Sequence, residues 1–317
     1  MFLYILKRLL YAIPIALAVS AVCFSLVYLA PGDPVNALLP ADATPDVIQR
    51  LKKDYGFDQP IPIQYLRWLG RAATGNLGTS ILTGRAVTGE LAGSISNTFV
   101  LAIAASLVGF TLGSLFGAIA GYHQGGWIDK VVTTLSVTGV SIPHYWLGML
   151  LVVVFSVVFN WLPSMGAGPG GSREWVWDWN HLRHIILPAI TLSAIPTGII
   201  ARTVRALVAD ILNREFVKAL RAKGLMQREV FRHVVKNAAP TTLAVMGLQL
   251  GSLLGGSILV ETVFAWPGTG FLLNNAIFSR DIPVLQGTIL VLALFFVAMN
   301  LIVDIIQPFV DPRIRRT

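Results

Sequence analysis

The chain has 317 residues, of which 55% are hydrophobic and only 13% are Asp, Glu, Lys or Arg. Soluble globular domains carry about 25% charged residues, so this composition excludes a soluble enzyme and a disordered chain. The single cysteine, Cys23, excludes the disulfide framework of a small secreted domain.

Six runs of the sequence contain no Asp, Glu, Lys or Arg, and together they cover more than half of the chain. They are 9–32, 91–128, 131–172, 185–201, 237–260 and 282–303. A transmembrane helix needs about 20 mainly apolar residues, and five of the six runs reach that length. The sequence therefore predicts an all-α polytopic membrane protein with six transmembrane helices.

The first run follows the basic pair Lys7-Arg8, which is also how a signal peptide begins. The apolar segment of a cleaved signal is about 7–15 residues long, whereas the run 9–32 has 24 residues and five further runs follow it. A first transmembrane helix is therefore the favoured interpretation. It assigns residues 1–32 to an N-terminal tail and that helix.

Residues 33–96 separate the first two spans and are too numerous for a bare connector. Thr44-Pro45 followed by Gly56 is the order of a helix with a capping hydroxyl, a proline at its first position and a glycine stop. The sequence predicts a second short helix over residues 64–69. We expect 33–96 to form a small extracytoplasmic cap.

The other five spans fall within 97–310, which we predict to be a five-helix core, and 311–317 is the expected cytoplasmic tail. The span at about 132–161 is interrupted by Pro143 and His144. We interpret His144 as a hydrogen-bonded polar group in that kink.

The short run 185–201 contains Pro188 and Pro196. Proline is tolerated in membrane helices where neighbouring helices satisfy the backbone groups that it frees. We therefore expect this span to lie inside the helix bundle rather than to face lipid on all sides.

The distribution of Lys and Arg predicts the orientation. With the N-terminus in the cytoplasm, the cytoplasmic segments hold fifteen basic residues, nine of them in the loop 202–236. The outward segments hold nine, of which six lie in the loop 33–96, and long loops largely escape the positive-inside rule. We predict that both termini are cytoplasmic (N-in, C-in), a topology that explains the net charge of +8 without a nucleic-acid partner.

Motifs for catalysis are absent from the sequence. It contains no G-x-x-x-x-G-K-[ST], no H-E-x-x-H and no G-x-S-x-G, so we expect no catalytic residue and no nucleotide bound by this chain. His181 and His184 share a helical face, but Trp175, Trp177 and Trp179 surround them. An interfacial aromatic belt is favoured there over a metal site.

We expect Asp304 to be the only carboxylate near a span. Ion-coupled transporters use carboxylates or histidine chains inside the membrane, so the sequence argues against a self-contained pump. A passive conduit, a scaffold or a receptor remains.

The loop 202–236 predicts an amphipathic helix over 211–223. Leu212, Phe216, Ala219 and Leu220 form one apolar stripe, and Gly224 follows as a helix stop. The pattern fits a basic helix on anionic lipid headgroups and a docking helix for a cytoplasmic partner equally well.

The fifth span carries small residues at helical spacing. These are Gly247, Gly251, Gly255 and Gly256. Close helix packing at a subunit interface is the favoured interpretation, and a flexible wall of a pathway is the alternative.

Several ordered motifs resemble one family. Residues 215–224, Glu215-Phe216-Val217-Lys218-Ala219-Leu220-Arg221-Ala222-Lys223-Gly224, resemble the cytoplasmic coupling loop of ABC importer permeases, and the Arg-Ala-Lys-Gly ending is similar to the dipeptide, oligopeptide and nickel branch. Further segments resemble that branch: Pro31-Gly32-Asp33-Pro34, residues 58–66, Gly75-Asn76-Leu77-Gly78, Glu261-Thr262-Val263-Phe264 with Trp266-Pro267-Gly268, and Asp311-Pro312-Arg313-Ile314-Arg315.

The resemblance implies a multi-pass permease subunit of the bacterial cytoplasmic (inner) membrane, which pairs with a homologous permease to form the translocation pathway. It implies two cytoplasmic ATPase subunits that bind ATP and magnesium, and an extracytoplasmic binding protein that delivers substrate. The residues implied to couple to the ATPase are Glu215, Phe216, Ala219, Leu220, Ala222, Lys223 and Gly224. Di- or oligopeptides are the expected cargo. Nickel chelates, glutathione, and a membrane scaffold or sensor that transports nothing are the alternatives.

Overall fold

The fold is seen in a computed structural model, which describes residues 2–29, 46, 49, 58–172 and 175–310. Apart from Asp46 and Gln49, the helix predicted between Thr44 and Gly56 lies outside the described residues, as does the tail 311–317.

The described residues are mainly helical, and the helices are joined by turns and by two longer segments, 74–86 and 159–172. The helices are α1 (Phe2–Leu29), α2 (Ile61–Ala73), α3 (Val87–Tyr122), α4 (Trp127–Ser141), α5 (His144–Leu151), a π-helical continuation of α5 (Val152–Val158), a single 3-10 turn (Pro169–Gly171), α6 (Trp179–Leu212), α7 (Glu215–Ala222), α8 (Gln227–Val263), α9 (Thr269–Ser279) and α10 (Ile282–Val310). One isolated bridge joins Thr79 and Ala86. The all-α prediction is confirmed.

In the part of the chain that the structure describes, three helices are long and apolar enough to cross a membrane: α3, α6 and the part of α10 from Ile282 to Met299. Two bent pairs raise the number of candidate spans to five, namely α4 with α5 and the two parts of α8. Helix α1 adds a shorter apolar stretch, Leu10–Ser25. The polytopic character is confirmed, and the sixth span stays a prediction.

The interruption predicted at Pro143 is present. Helices α4 and α5 meet at an angle of 101°. Ile142 adopts an extended conformation, with ψ of 127°, because the ring of a following proline disfavours the helical region for the residue before it. Pro188 and Pro196, by contrast, lie within the continuous helix α6 and are buried, as expected for a span inside the bundle.

Among the described residues, helices α3 and α6 share the most extensive helix–helix contact. Glycines recur every fourth position on the contacting face of α3, at 109, 113, 117 and 121. A Cβ atom built on Gly117 would lie 2.5 Å from the carbonyl oxygen of Ala201. Only glycine permits this approach of two backbones, which is how small residues promote helix association in membranes.

The short helix predicted at 64–69 is present as α2 and packs on α1. The Tyr65 ring lies edge-on to Phe24 with centroids 5.5 Å apart, and the Tyr65 hydroxyl lies 2.8 Å from the Ser20 hydroxyl oxygen. Further along, the buried Ser80 hydroxyl donates to Asp281 Oδ2 at 2.5 Å. These contacts tie the segment before α3 to α1 and to the α9–α10 turn.

Candidate functional site

Helix α7 is shorter than the helix predicted over 211–223. The predicted start is wrong because α6 continues to Leu212, and a turn at Asn213 and Arg214 separates the two helices. The predicted stop is correct, since Gly224 has a φ of 80°, a left-handed conformation that side chains other than glycine adopt only with strain. Glu215 in the first turn and Arg221 in the last complement the helix dipole.

The apolar residues of α7 divide between two faces. Val217 is fully buried and belongs to an apolar cluster with Val208 of α6 and Val230 of α8, against which Leu220 packs. Phe216 keeps 37% of its surface exposed. The single stripe predicted through Leu212, Phe216, Ala219 and Leu220 is therefore wrong, because α7 starts after Leu212 and Leu220 turns inward.

The outward face of α7 is a small apolar patch with a basic edge. Phe216, Ala219, Ala222 and Lys223 are exposed. Glu215, also exposed, accepts a hydrogen bond from Lys218 Nζ at 2.7 Å. Sequence reasoning missed Val217 as the anchor, although its spacing of three from Leu220 is a helical signal.

A half-buried ion pair fixes the helices behind α7. The Arg205 guanidinium of α6 donates two hydrogen bonds to the Asp129 carboxylate of α4, from Nε at 2.9 Å and from Nη2 at 2.6 Å. The Asp129 side chain is 5% exposed and that of Arg205 is 32% exposed. Such two-point contacts fix orientation as well as distance, so the ends of α4 and α6 are held rigidly together.

The turn between α3 and α4 completes the seat of α7. The Tyr122 hydroxyl donates to Gln227 Oε1 of α8 at 3.2 Å, and the Asn213 amide donates to Gln124 Oε1 at 3.3 Å. Helix α7 is thus held against α6 and α8. The turn is hydrogen-bonded to Asn213, just before α7, and the neighbouring Tyr122 to Gln227, just after it.

The glycines predicted to form an interface lie along α8 and are only partly covered. Gly251 is buried, Gly247 and Gly256 are half-buried, and Gly255 is exposed. Cβ atoms built on Gly255 and Gly256 would meet nothing within 4 Å. Within the described residues, no helix of this subunit packs closely on these two positions.

An apolar groove of about 590 Å³ adjoins Gly255. It is lined by α1 residues such as Tyr11 and Ile15, by Ile258 of α8 and by α10 residues such as Phe296. The open face of α8 is therefore continuous with a surface that lies between α1 and α10.

Near the C-terminal end of α8 lies a buried carboxylate that sequence reasoning missed. Glu261 is 0% exposed, so the expectation that Asp304 is the only carboxylate near a span is wrong. Its Oε1 accepts a hydrogen bond from the Thr98 hydroxyl at 2.8 Å. Its Oε2 accepts from the backbone N–H groups of Gly270 at 2.6 Å and Phe271 at 3.2 Å. Glu261 thereby caps α9 and fastens it to α3.

The turn after Glu261 is fastened to α3 as well. The Trp266 indole donates to the Asn97 carbonyl at 3.0 Å, and the Asn97 amide donates to the Pro267 carbonyl at 3.0 Å. The motif of 261–268, singled out above by resemblance, is thus a buried polar joint between α3, α8 and α9.

The histidines divide into bonded and unbonded groups. His181 is buried, and its Nδ1 lies 2.7 Å from Asp178 Oδ1. Hydrogen bonds from the backbone N–H and the ring of His181 hold the pKa of the Asp178 carboxyl below its usual value.

The described residues contain no group of three or more metal-binding side chains. Within the same residues, His144 Nε2 is buried without a hydrogen-bond partner, so the expectation that it is satisfied is wrong.

Comparison with known proteins assigns the family. Residues 113–316 match the family described as "Binding-protein-dependent transport system inner membrane component", and residues 1–102 match the N-terminal portion of the same kind of membrane component. The chain belongs to this permease family. The chain is therefore a non-enzymatic subunit of an ABC transporter in the inner membrane. Membership of this family also implies that it works with ATPase subunits and a binding protein.

Relatives of this inner membrane component match over nearly their full length. It is 39% identical to the glutathione transport system permease protein GsiC of Pectobacterium atrosepticum, over 98% of both chains. It is 36% identical to the dipeptide transport system permease protein DppB of Alkalihalophilus pseudofirmus, over 99% of this chain and 100% of the relative.

The fold resembles that of a solved transporter. A chain of the MetNI methionine ABC transporter, in an inward-facing conformation, superposes with a TM-score of 0.56 at 18% identity, covering 69% of this chain and 95% of that one. At this identity the likeness concerns the fold alone.

Proposed function

We propose that this permease subunit forms half of the translocation pathway of an ATP-driven importer for di- or oligopeptides, delivered by an extracytoplasmic binding protein. In this proposal the chain has six spans with both termini in the cytoplasm. Residues 33–96 form the outward cap, 97–310 the permease core and 311–317 the cytoplasmic tail. The ATP and magnesium belong to the two ATPase subunits.

The proposal rests on how α7 is packed: one side is buried against the transmembrane helices and the other side is exposed. Its inner side is fixed through Val217, and its outer side presents Phe216, Ala219 and Lys223. A helix that merely lies on headgroups needs no such rigid seat, because lipid yields to its shape. A helix that transmits movement from an ATPase needs both a contact patch and a stiff connection to the spans.

The proposed cargo follows from what the relatives are named for. DppB is named for dipeptide transport and GsiC for glutathione transport, and both compounds carry peptide-type amide bonds and carboxylates. Linear di- or oligopeptides are the proposed substrates, and glutathione is the second candidate. The test is isothermal titration of the cognate binding protein with a dipeptide, an oligopeptide, glutathione and a nickel chelate.

The proposed second permease subunit would cover the open face of α8. Gly255 and Gly256 lack a close neighbour within the described residues of this chain, and small residues allow a helix of another subunit to approach. The same positions would then lie beside the pathway, where the two permeases meet.

The coupling role is tested by Phe216→Asp in the reconstituted complex. Phe216 is exposed, so the subunit should fold, while a charge buried in the ATPase groove is strongly unfavourable. We expect the substrate-stimulated ATPase rate to fall about tenfold, which corresponds to a loss of about 1.4 kcal/mol. Phe216→Leu, which keeps the apolar contact, is the matched control and should retain stimulation.

Gly224 provides an independent variant of the same test. Gly224→Asn should be tolerated better than Gly224→Val, because asparagine adopts the left-handed conformation more readily than a β-branched residue. Normal stimulation in Phe216→Asp and Gly224→Val together would contradict the coupling role and leave headgroup binding as the explanation of α7.

A further inference from the structure

A polar pocket of about 290 Å³ opens at the start of α6. Its polar lining consists of Asn160, Asn180, Arg183 and His184, and Trp161 forms part of its wall. The pocket is separate from the coupling helix α7 and from the open glycine face of α8, and neither the family assignment nor the proposed cargo explains it.

The walls of the pocket are held in place by its basic side chains. The Arg183 guanidinium donates to the Trp161 carbonyl, and His184 Nδ1 lies 2.9 Å from the Met165 carbonyl oxygen. Both contacts connect α6 to the loop that follows α5. A guanidinium has five N–H donors in a planar fork, so Arg183 retains donors for a ligand after bonding to Trp161.

The position of the pocket along α6 matches the headgroup layer of a membrane. Arg183 stands two residues before the charge-free run 185–201, which ends at Arg202. At 1.5 Å per residue the two arginines lie about 28 Å apart along the helix, close to the roughly 30 Å thickness of the hydrocarbon core. Arg183 therefore lies at one membrane boundary when Arg202 lies at the other.

Exposed tryptophans mark the same boundary. Trp161, Trp177 and Trp179 are 59%, 79% and 71% exposed, and tryptophan is enriched where headgroups meet hydrocarbon. The described residues that line the pocket include Arg183 and no carboxylate. Asp178, the described carboxylate nearest along the chain, has its Oδ1 engaged by His181.

We propose that this pocket binds the phosphate group of an anionic glycerophospholipid. Arginine binds phosphate through two parallel N–H donors, and the Asn180 amide, which has no hydrogen bond within the described residues, supplies another donor beside it. In the proposed N-in topology the lipid belongs to the outer leaflet. A carboxylate from a docked protein would satisfy the same donors, but the depth and the tryptophans favour a lipid.

The test uses the intact transporter complex, stripped of lipid in a mild detergent and titrated with short-chain phosphatidylglycerol, with retained lipid measured by native mass spectrometry. Asn180→Asp places a negative charge in the pocket while keeping Arg183 itself. An acidic residue in the first turn also suits the helix dipole, so this variant should fold. Arg183→Gln removes the proposed phosphate ligand itself.

We expect each variant to bind phosphatidylglycerol about tenfold more weakly than the wild type. The matched control is Arg85→Gln, which removes an exposed arginine of the proposed cap outside the pocket and should change nothing. Unchanged affinity in both pocket variants would overturn the proposal. So would equal retention of phosphatidylcholine, or full displacement of the lipid by millimolar inorganic phosphate. Loss of binding-protein stimulation in Asn180→Asp with normal lipid retention would assign the pocket to a docked protein instead.

Discussion

Helices α3 and α8 both carry glycines at helical spacing, yet the two rows meet different surroundings. On α3, Cβ atoms at Gly117 and Gly121 would approach carbonyl oxygens of α6 to 2.5 and 2.7 Å. On α8, Cβ atoms at Gly255 and Gly256 would meet nothing within 4 Å. The glycines of α3 are therefore covered by a helix of the same subunit, whereas Gly255 and Gly256 of α8 are left open beside an apolar groove.

The difference shows that a row of small residues indicates close approach without saying which chain approaches. Small side chains lower the distance at which two helices can pack, and this holds equally for a neighbour in the same subunit and for one in another. The α3–α6 seam is therefore part of the folded subunit, whereas the α8 face is open to a neighbour, which in our proposal is the second permease. The predictions below separate these two uses.

The largest effect is expected from Gly117→Val on the closed seam. The new side chain would meet the Ala201 carbonyl and Val204 Cβ at 2.5 and 2.8 Å, so α3 and α6 must separate. We expect a loss of about 3 kcal/mol or more and little folded protein in the membrane. Size-exclusion chromatography of the solubilised subunit measures this.

Gly93→Val is the control for this substitution, because Gly93 lies on the same helix and a Cβ there meets nothing within 4 Å. It should leave the elution profile and the yield nearly unchanged. If the two variants behaved alike, the contact between α3 and α6 would not be the reason for glycine at 117.

The second largest effect is expected at Glu261, where α8 does find a partner in α3. Glu261→Ala removes the acceptor of two backbone N–H groups and of the Thr98 hydroxyl. Each buried donor left without an acceptor costs about 1–3 kcal/mol, so the thermal unfolding midpoint of the purified subunit should fall clearly. Glu90→Ala is the control, since Glu90 accepts an exposed hydrogen bond from Thr83. An equal shift in both variants would mean that burial of Glu261 adds nothing.

A smaller effect is expected from Asp129→Asn, at a residue that joins α4 to the α6 side of the closed seam. The change weakens the bidentate contact with Arg205, and hydrogen bonds to charged groups contribute about 1.5–3 kcal/mol. Because Arg205 is 32% exposed, water compensates part of this loss, and the lower end of the range applies. We also expect weaker substrate stimulation of ATPase activity, since the seat of α7 loosens.

The matched control for Asp129 is Asp210→Asn on α6. Asp210 pairs with Arg214 at 2.6 Å, but both side chains are about 60% exposed, and exposed pairs contribute about 0–1 kcal/mol. If Asp129→Asn were no less stable and no less stimulated than this control, the pair between Asp129 and Arg205 would be dispensable.

Much of the fold could be predicted because its signals are local. Charge-free runs mark apolar helices without reference to the rest of the chain, and Pro143 breaks its helix through its own ring. Gly224 ends α7 for a similarly local reason, since its φ is positive. These features need only a few neighbouring residues to be recognised.

The missed features depend on contacts between distant residues. Glu261 reads in sequence as the polar end of a run, and it becomes a buried joint only because Thr98 and the start of α9 meet it. The inward turn of Val217 depends on how α6 and α8 enclose α7. The four-residue spacing of glycines 109, 113, 117 and 121 was visible in the sequence, but its partner on α6 was not.

The smallest effect on the subunit itself, and the sharpest test of the comparison, is expected from Gly255→Leu. A side chain at this position enters open space within the described chain, so the free energy of unfolding should stay within about 0.5 kcal/mol of the wild type, as for other exposed positions. If a second permease packs on this face, the added leucine should instead reduce co-purification of the partner permease, because overpacking an interface keeps the helices apart. Gly255→Ala, which adds one methyl group, should impair assembly less than leucine does. Normal co-purification and normal transport in Gly255→Leu would exclude this face as the subunit interface and would leave the groove beside it open to lipid.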